Sequence, residues 1–237
     1  EKKIRQEFFD NASHELKTPL TSIRGYGELL RSGVVNDPKQ AQECVDRILK
    51  ETTHMTALIT DILMISRLEG NDVVEKKTDI ALRPAVEELC KSFTPMANEH
   101  RVMLEMQCET LCVHMSQKHV EQLIGNLISN AIKYNHEGGT VDVLIRRQEN
   151  LLVITVEDSG IGISKEDEKH IFERFYRVDK GRSRKIGGTG LGLSIVKHIA
   201  RYYHGKIDLF SRENIGTTIT ITLPDVIVDE SSADQAE

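Results

Sequence analysis

The sequence of 237 residues contains no tryptophan, and its aromatic content is only 5%. A core with so few rings is expected to consist mainly of leucine, isoleucine, valine and methionine, which suits packed helices. No apolar run reaches the roughly 18 residues of a membrane-spanning helix, and no signal peptide is recognisable, so no membrane contact is expected from this chain. Because the sequence begins with Glu1 rather than methionine, we expect it to be part of a longer protein.

An excess of positive charge is also missing. The 31 basic and 37 acidic residues give a net charge of −6, and no basic stripe with interleaved aromatic residues occurs, so nucleic acid is not expected as a partner. The four cysteines lack the spacing of a disulfide framework or a zinc site. Cys108 and Cys112 with His114 are an alternative ligand set, but buried or half-buried thiols in a reducing, cytoplasmic compartment are favoured.

The first part of the chain predicts two antiparallel helices. Apolar residues recur at helical spacing over 4–30, and the turn at 33–38 ends in Asp37 and Pro38, a cap followed by proline at a first helical position. Steps of three and four then mark a second helix, at Val45, Ile48, Thr52, Met55, Ile59, Ile62 and Ser66. Two helices cannot cover both apolar stripes, so residues 1–70 are expected to form an all-α four-helix bundle as a homodimer; the alternative is a hairpin lying on the following domain.

A different pattern follows a polar linker at 71–78. Residues 79–225 predict helices and mostly antiparallel strands, an α+β layer in which helices cover one face of a single sheet. Helices are expected at about 82–99, 116–134 and 191–204, and strands at about 101–106, 111–115, 141–147, 151–157, 206–211 and 217–223. The acidic segment 226–237, rich in small residues, is expected to be disordered.

One histidine stands out on the first predicted helix. Thr18 lies one turn beyond His14 on the same face, and Glu15 is its neighbour in sequence. An exposed imidazole next to a carboxylate suits nucleophilic chemistry, although a single surface histidine is more often only solvated. Pro19 follows Thr18, where it removes a backbone hydrogen bond and is expected to bend the helix.

Two asparagines share one face of the predicted helix 116–134. Asn126 and Asn130 are four residues apart, and their amide oxygens are hard, neutral ligands that suit a magnesium ion between phosphates. Lys133 adds a positive charge for phosphate, and Tyr134 adds a ring that can stack on a base. Asparagines that only cap the helix or face solvent are the simpler alternative.

A second motif, at 158–163, directly follows an apolar strand. Asp158 at the end of that strand can accept a hydrogen bond from the amino group of adenine, and Gly160 and Gly162 let the backbone come close to a ring. An ordinary turn is the alternative, because Asp-Ser-Gly is also good turn chemistry.

Two further motifs flank a short basic segment. In 171–177, Phe172 and Phe175 are expected to anchor the following loop, and Arg177 to reach a terminal phosphate. A glycine cluster before a helix exposes backbone N–H groups to phosphates, and it comprises Gly187, Gly188, Thr189, Gly190, Leu191 and Gly192. The basic segment between them, 179–186, fits a mobile lid over a nucleotide or, alternatively, a solvated loop.

In this order the motifs resemble the cytoplasmic core of a bacterial two-component sensor histidine kinase, in particular the sensors of the phosphate-limitation and cell-wall type. The resemblance covers about residues 8–224. It implies a dimerisation and histidine phosphotransfer domain, followed by an ATP-binding domain of the Bergerat type, an α/β sandwich. It also implies ATP and Mg²⁺ as cofactors, a homodimer, a response-regulator receiver domain as partner, and a full-length protein in the cell membrane.

The resemblance also implies roles for individual residues. His14 is then the phosphoacceptor, Glu15 takes or orients the ring proton, and Thr18 positions the water that dephosphorylates the partner. Asn130 is the principal Mg²⁺ ligand, with Asn126 beside it. The other implied nucleotide contacts are Lys133, Tyr134, Asp158, Gly160, Gly162, Arg177, Gly188, Thr189, Gly190, Leu191, Gly192, Gly216 and Thr217.

Two other functions stay open. ATP hydrolases of the same fold carry a glutamate one turn before the magnesium asparagine, where it activates water; Asn126 holds that place here and is a poor base, which favours a kinase. A degenerate kinase that only docks a response regulator is disfavoured by the intact motifs. One departure from the family pattern has no assigned mechanism: many relatives carry aspartate where Ser116 precedes the asparagine helix.

Overall fold

The computed structural model describes residues 2–69, 75–178 and 188–228. The chain divides into two compact units. The helical unit comprises Glu1–Ser66 and Glu173–Leu191, and the sheet unit comprises Arg67–Phe172 and Gly192–Glu237. The segment Glu173–Leu191, which the sequence places inside the ATP-binding domain, therefore belongs with the two long helices.

Two long helices dominate the helical unit, as predicted: α1 at Lys2–Arg31 and α2 at Pro38–Glu69. The turn between them also ends as predicted. The Asp37 carboxylate accepts a hydrogen bond from the N–H of Lys39 at 3.2 Å, and the proline at position 38 is the first helical residue. Pro19 lies within α1, and the helix continues through it.

Helix α2 has two apolar faces rather than the one predicted seam. Its buried side chains are Cys44, Leu58, Met64 and Ile65. A second set, the exposed apolar face of α2, is between 39% and 59% exposed and consists of Val45, Leu49, Ile59 and Leu63. The predicted seam contains Val45 and Ile59 of the exposed set and no member of the buried set, because steps of three and four do not show which face meets the neighbouring helix.

Within the described residues, the sheet unit holds three α-helices, a short 3-10 helix and eight strands. The helices are α3 at Leu82–His100, α4 at Gln117–Lys133, the 3-10 helix at Asp167–Lys169 and α5 at Gly192–Tyr202. The strands are β1 at Thr78–Ala81, β2 at Met103–Cys108, β3 at Cys112–Met115, β4 at Thr140–Gln148, β5 at Leu151–Asp158, β6 at Lys206–Arg212, β7 at Gly216–Pro224 and β8 at Ile227–Val228.

The strands form two sheets, so the prediction of a single sheet is wrong. The larger has the order β2-β4-β5-β7-β6, in which only the β2–β4 pair is parallel. The smaller has the antiparallel order β1-β3-β8. The prediction that 226–237 is disordered is wrong for its first residues, because β8 lies at 227–228. Residues 229–237 lie outside the described residues. Residues 70–74 of the predicted linker lie outside them as well.

The core of the sheet unit lies between the larger sheet and its helices. Strand β4 alternates as a half-covered strand does, with Val141, Val143 and Ile145 buried and the residues between them exposed. Helix α4 packs against β4 and β5, and its Leu123 and Ile124 are buried. The predicted α+β architecture is confirmed, and it places the carboxyl end of β5 beside the end of α4. No helix in the described ranges is long and apolar enough to cross a membrane.

Candidate nucleotide site and phosphoacceptor

His14 lies on α1 with its side chain exposed to solvent. One turn further, the Thr18 hydroxyl donates a hydrogen bond to the His14 carbonyl oxygen at 3.4 Å, so the hydroxyl is held against the helix. Glu15 is half-buried, and among the described residues its carboxylate makes no hydrogen bond with the imidazole. The imidazole is therefore accessible to an incoming group.

The second segment of the helical unit is attached to both helices. The Phe175 ring lies 5.7 Å from the Phe8 ring on α1, and the Arg174 guanidinium lies 4.9 Å from the centroid of the same Phe8 ring. The Thr189 hydroxyl donates a hydrogen bond to the Asp61 carboxylate on α2 at 2.7 Å. The helices thus contact described residues that precede and follow 179–187 in the chain.

The predicted nucleotide residues are divided between the two units. Those in the helical unit are Arg177, Gly188, Thr189, Gly190 and Leu191. Those in the sheet unit are Asn126, Asn130, Lys133, Tyr134, Asp158, Gly160, Gly162, Gly192, Gly216 and Thr217. Residues 179–187, which include Gly187 and the basic lid, lie outside the described residues, and the lid stays a prediction.

The two asparagines of α4 are half-buried, one turn apart. The Asn126 amide nitrogen donates to the carbonyl oxygen of Gln122 at 2.8 Å and to its side-chain oxygen at 3.1 Å. The Asn126 amide oxygen lies close to Gly192, 2.7 Å from the position that a Cβ on Gly192 would occupy. In the part of the chain that the structure describes, the Asn130 carboxamide has no hydrogen-bond partner, which leaves its oxygen available to a ligand.

Asp158 ends β5 with a half-buried carboxylate. This carboxylate accepts a hydrogen bond from the N–H of Gly160 at 2.8 Å and another from the backbone of Thr217, its neighbour in register on β7. Burial raises the pKa of Asp158 to about 6, although the two backbone hydrogen bonds oppose this shift. The predicted adenine acceptor is thus held at the strand end in a fixed orientation.

Three elements hold the loop that follows Asp158. The Ile161 N–H donates to the Tyr134 carbonyl oxygen at the end of α4 at 3.0 Å, and its carbonyl accepts from the Asn214 N–H at 2.7 Å. The Ile163 N–H donates to the Ser211 hydroxyl at 2.9 Å. The loop is therefore a fixed wall between α4 and the β6–β7 hairpin rather than an ordinary surface turn.

Two glycines of this loop lack room for a side chain. A Cβ at Gly160 would collide with the Tyr134 carbonyl oxygen, and a Cβ at Gly162, where φ is +65°, would collide with the Arg212 carbonyl. Gly216 likewise lies against the carbonyl at the end of β5. The glycines therefore let three backbone segments converge; the predicted approach of this backbone to a planar ligand stays a prediction.

A polar cluster that supports this wall was missed from the sequence. The Asn135 amide donates to the Thr140 carbonyl at 2.9 Å, and the Ser159 hydroxyl accepts from the Thr140 N–H at 2.8 Å and donates to the Asn135 side-chain oxygen at 3.3 Å. The one signal in the sequence was position, because Asn135 directly follows Tyr134 and Ser159 directly follows Asp158.

The cysteines form no metal site among the described residues, where no group of three metal-binding side chains occurs. All four thiols are free, and burial raises the pKa of Cys90 and of Cys108 to about 11. His114 instead contacts Asp79, with its Nδ1 at 2.6 Å from the carboxylate oxygen. The cysteine–histidine ligand set is therefore not supported.

Two protein-family models match the chain. The His Kinase A (phospho-acceptor) domain matches residues 4–71, and the histidine kinase-, DNA gyrase B- and HSP90-like ATPase matches residues 115–227. The chain belongs to the sensor histidine kinases. Sensor histidine kinase WalK of Bacillus subtilis (strain 168) is 39% identical over 235 residues, or 98% of this chain. This kinase core spans only 38% of the length of WalK.

Solved histidine kinases share the fold. The histidine kinase AdeS of Acinetobacter baumannii has a TM-score of 0.74 at 24% identity, over 89% of this chain and 97% of that one. The histidine kinase ThkA, solved in complex with the response regulator protein TrrA, has a TM-score of 0.72 at 24% identity, over 94% of this chain and 64% of that one. The predicted order of a helical pair and an ATP-binding domain is confirmed.

The residues of the sheet unit fit the nucleotide that this family uses. The Asp158 carboxylate, which the Gly160 N–H holds at the end of β5, is an acceptor for an amino group. The Asn130 amide oxygen, which has no hydrogen-bond partner in the described ranges, has the donor chemistry of a magnesium ligand.

Proposed function

We propose that this kinase core transfers the γ-phosphate of ATP to His14 and then to an aspartate of a response regulator. The observation that carries the proposal is the amide at position 126. Hydrogen bonds to Gln122 hold this amide in place, one turn before Asn130, where a hydrolase of this fold needs a carboxylate to activate water. An amide accepts no proton at neutral pH, so the accessible imidazole of His14 is the better acceptor for the phosphoryl group.

The sheet unit would bind ATP through complementary groups. The ionised Asp158 carboxylate accepts a hydrogen bond from the adenine amino group, and the Gly160–Gly162 backbone lies along the ring. Asn130 would hold Mg²⁺, which neutralises phosphate charge, and Lys133 would add a positive charge beside it. Arg177 and the glycine cluster at 188–192 complete the proposed phosphate contacts.

The transfer itself needs a neutral imidazole. One ring nitrogen of His14 attacks the γ-phosphorus and forms an N–P bond. The bond between the γ-phosphorus and the β–γ bridging oxygen breaks, and ADP leaves with that oxygen. Glu15 takes or orients the proton on the ring. Because phosphoryl transfer has a loose transition state, alignment of the two reactants and neutralisation of phosphate charge supply most of the rate. In the proposed phosphatase activity toward the regulator, Thr18 would position the water that removes the phosphoryl group.

We also propose a homodimer through the two long helices. The exposed apolar face of α2 would be covered by a second copy, as in a four-helix bundle. A response-regulator receiver domain would bind the same helices near His14. In the whole protein this core would lie on the cytoplasmic side of a membrane, as the family resemblance implies.

Labelling with γ-³²P-ATP and Mg²⁺ tests the proposal. We compare the wild type with His14→Gln and Asn130→Ala. The control is His114→Gln, which makes the same change at another exposed histidine. We expect acid-labile, base-stable label on the wild type and His114→Gln only. Phosphate release that survives in His14→Gln without labelled protein indicates a hydrolase, and the absence of both label and nucleotide binding indicates a docking module.

A further inference from the structure

Three polar side chains form a row across one face of the larger sheet. Asp158 at the end of β5 is paired in register with Thr217 on β7, and Thr217 is paired with Ser211 on β6. Side chains that are paired directly across neighbouring antiparallel strands lie on the same face of a sheet. On β7 this face continues with the buried Ile219, so the row lies at the edge of the core.

Ser211 uses all of its hydrogen-bonding capacity within the protein. It is only 4% exposed, so protein groups rather than solvent have to satisfy its hydroxyl. This hydroxyl donates to the Gly216 carbonyl oxygen at 3.0 Å and accepts from the Ile163 N–H at 2.9 Å. The Thr217 hydroxyl oxygen lies 2.9 Å from the Ser211 oxygen. Because the single hydrogen and one lone pair of Ser211 are engaged elsewhere, its second lone pair is what remains for Thr217.

The direction of the hydrogen bond between the two hydroxyls follows from this arrangement. Since the hydrogen of Ser211 is directed to Gly216, the hydrogen of Thr217 has to be directed to Ser211. Among the described residues the Thr217 hydroxyl has no other partner, and Thr217 is 8% exposed. With its hydrogen engaged, this hydroxyl can serve a ligand only as an acceptor.

The neighbouring carboxylate has the same polarity. The Asp158 carboxylate accepts from the backbone N–H groups of Gly160 and Thr217, and an ionised carboxylate has no hydrogen to donate. Within the described ranges it receives no hydrogen bond from the Thr217 hydroxyl, which agrees with a hydroxyl hydrogen directed at Ser211. Asp158 and Thr217 are therefore two acceptors side by side in register.

We propose that Ser211 is a positioning residue for selection of a 6-amino purine, because it takes the Thr217 hydrogen and leaves Thr217 as a second acceptor beside Asp158. The inference rests on the proposed function, since it concerns the base of the nucleotide bound at Asp158. A 6-amino group presents hydrogens to these acceptors, whereas a 6-oxo group presents lone pairs and is disfavoured. Without Ser211, the Thr217 hydroxyl is free to rotate and donate to a 6-oxo group.

Neutron diffraction from crystals of the deuterated, nucleotide-free protein tests the hydrogen arrangement. We expect the Thr217 hydroxyl deuterium on the line to the Ser211 oxygen, and the Ser211 hydroxyl deuterium on the line to the Gly216 carbonyl oxygen. A Thr217 deuterium directed away from Ser211 would overturn the proposal. This outcome does not depend on whether the chain is an active kinase.

Binding of ATP and of inosine triphosphate tests the consequence, because inosine carries a 6-oxo group where adenosine carries the 6-amino group. The selectivity is the Kd for inosine triphosphate divided by the Kd for ATP, measured by isothermal titration calorimetry with Mg²⁺. Ser211→Ala is expected to lower this ratio by about fivefold, the factor of one hydrogen bond. Thr217→Val is also expected to lower it. The control Thr220→Val makes the same change on the opposite face of β7 and is expected to leave the ratio unchanged.

The ratio separates positioning from a merely structural role. Loss of the bond to Ile163 alone would weaken both nucleotides equally, so an unchanged ratio in Ser211→Ala overturns the proposal even if ATP still binds. If Ser211→Ala does not fold, an unchanged ratio in Thr217→Val overturns it instead.

The double variant shows whether Ser211 acts through Thr217. Adding Ser211→Ala to Thr217→Val is expected to change the ratio no further, and a second fall of similar size contradicts the positioning role. If the wild type binds neither nucleotide, the proposed function fails and the selectivity fails with it, while the neutron density still decides on the hydrogen arrangement.

Discussion

The carboxylate of Asp158 and the backbone N–H of Gly160 are joined by a hydrogen bond of 2.8 Å across the tight turn at the end of β5. This bond fixes the carboxylate at the end of the strand. The Tyr134 carbonyl oxygen holds the following residue, Ile161, through its N–H. The position of Asp158 therefore depends both on the local turn and on a contact with the end of α4. Substitutions of Gly160 and Asp158 test this arrangement.

Gly160→Ala is expected to weaken both the fold and nucleotide binding. A Cβ there collides with the Tyr134 carbonyl and lies 2.8 Å from the Asp158 carboxylate, and both neighbours are fixed. We expect a loss of about 2 kcal/mol or more in unfolding free energy and at least tenfold weaker ATP binding. Urea unfolding and isothermal titration calorimetry measure the two effects.

Gly125→Ala is the matched control in the same domain. A Cβ at Gly125, within α4, meets only the Phe93 ring and Leu89 at ordinary contact distances of 3.6 to 3.8 Å. Alanine favours a helix over glycine by up to about 1 kcal/mol, so this variant is expected to be as stable as the wild type or more stable. Equal losses in Gly125→Ala and Gly160→Ala would contradict the account of the turn.

Asp158→Asn is expected to change how stability depends on pH. Burial raises the folded-state pKa of Asp158 from 3.8 to about 6, so the folded state binds more protons than the unfolded state between these values. Stability from this group is fully present below about pH 4 and is lost as pH rises through 6, by at most about 3 kcal/mol at 1.36 kcal/mol per pKa unit. Relative to the wild type, Asp158→Asn is therefore expected to gain stability between pH 4 and 7, as measured by urea unfolding.

ATP affinity is expected to follow the opposite direction. The ionised carboxylate is a stronger acceptor for the adenine amino hydrogen than the protonated acid, so binding is expected to strengthen as pH rises through 6. Asp158→Asn should bind more weakly and lose this dependence. The difference in unfolding free energy between the wild type and Asp158→Asn is expected to change with pH. If this difference stays constant between about pH 4 and 7, the carboxyl group keeps its ordinary pKa.

Tyr203→Phe is expected to destabilise the sheet unit, and Tyr202→Phe is not. Loss of the Tyr203 hydroxyl leaves the Ser116 N–H and His119 Nδ1 buried without their partner, at a cost of about 1 to 3 kcal/mol. In the described residues the Tyr202 hydroxyl makes no hydrogen bond, so its removal should change stability by less than about 0.5 kcal/mol. Urea unfolding of both variants decides, and equal effects would argue against the buried hydrogen-bond chain.

Leu63→Glu is expected to weaken the dimer. Leu63 is 52% exposed on the exposed apolar face of α2, and burial of a leucine in a second copy contributes about 2 kcal/mol per site. The dissociation constant should rise at least tenfold, as measured by sedimentation equilibrium. Val34→Glu, at a turn residue that is 71% exposed, is the control and should remain dimeric. Identical dissociation constants for both variants would place the dimer interface elsewhere.

The elements that the sequence predicted well are those with a long periodic signal. Helices α1 and α4 repeat their apolar residues over 30 and 17 residues, and the periodicity alone defines them. Strands β1 and β8, with four and two residues, are too short to alternate visibly, and they exist because β3 lies between them. Pairing with a distant partner, rather than local preference, makes them strands.

The site follows the same division. The hydrogen bond between Asp158 and Gly160 is local, and the sequence allowed for it because Asp-Ser-Gly is good turn chemistry; the role of Asp158 toward adenine stays a prediction. The bond between Thr189 and Asp61 joins residues 128 positions apart, and that between Ser116 and Tyr203 joins residues 87 apart. Contacts of this kind depend on the tertiary fold, and no pattern along the chain reports them.

The central claim is that the phosphoryl group ends on the imidazole of His14. Phosphorus-31 nuclear magnetic resonance of the protein after incubation with ATP and Mg²⁺, combined with mass-spectrometric localisation, tests it most directly. We predict a phosphoramidate resonance that is stable in base, is lost in acid, maps to the peptide containing His14 and is absent from His14→Gln. A protein-bound phosphate on any other residue, or an unchanged signal in His14→Gln, would contradict the account.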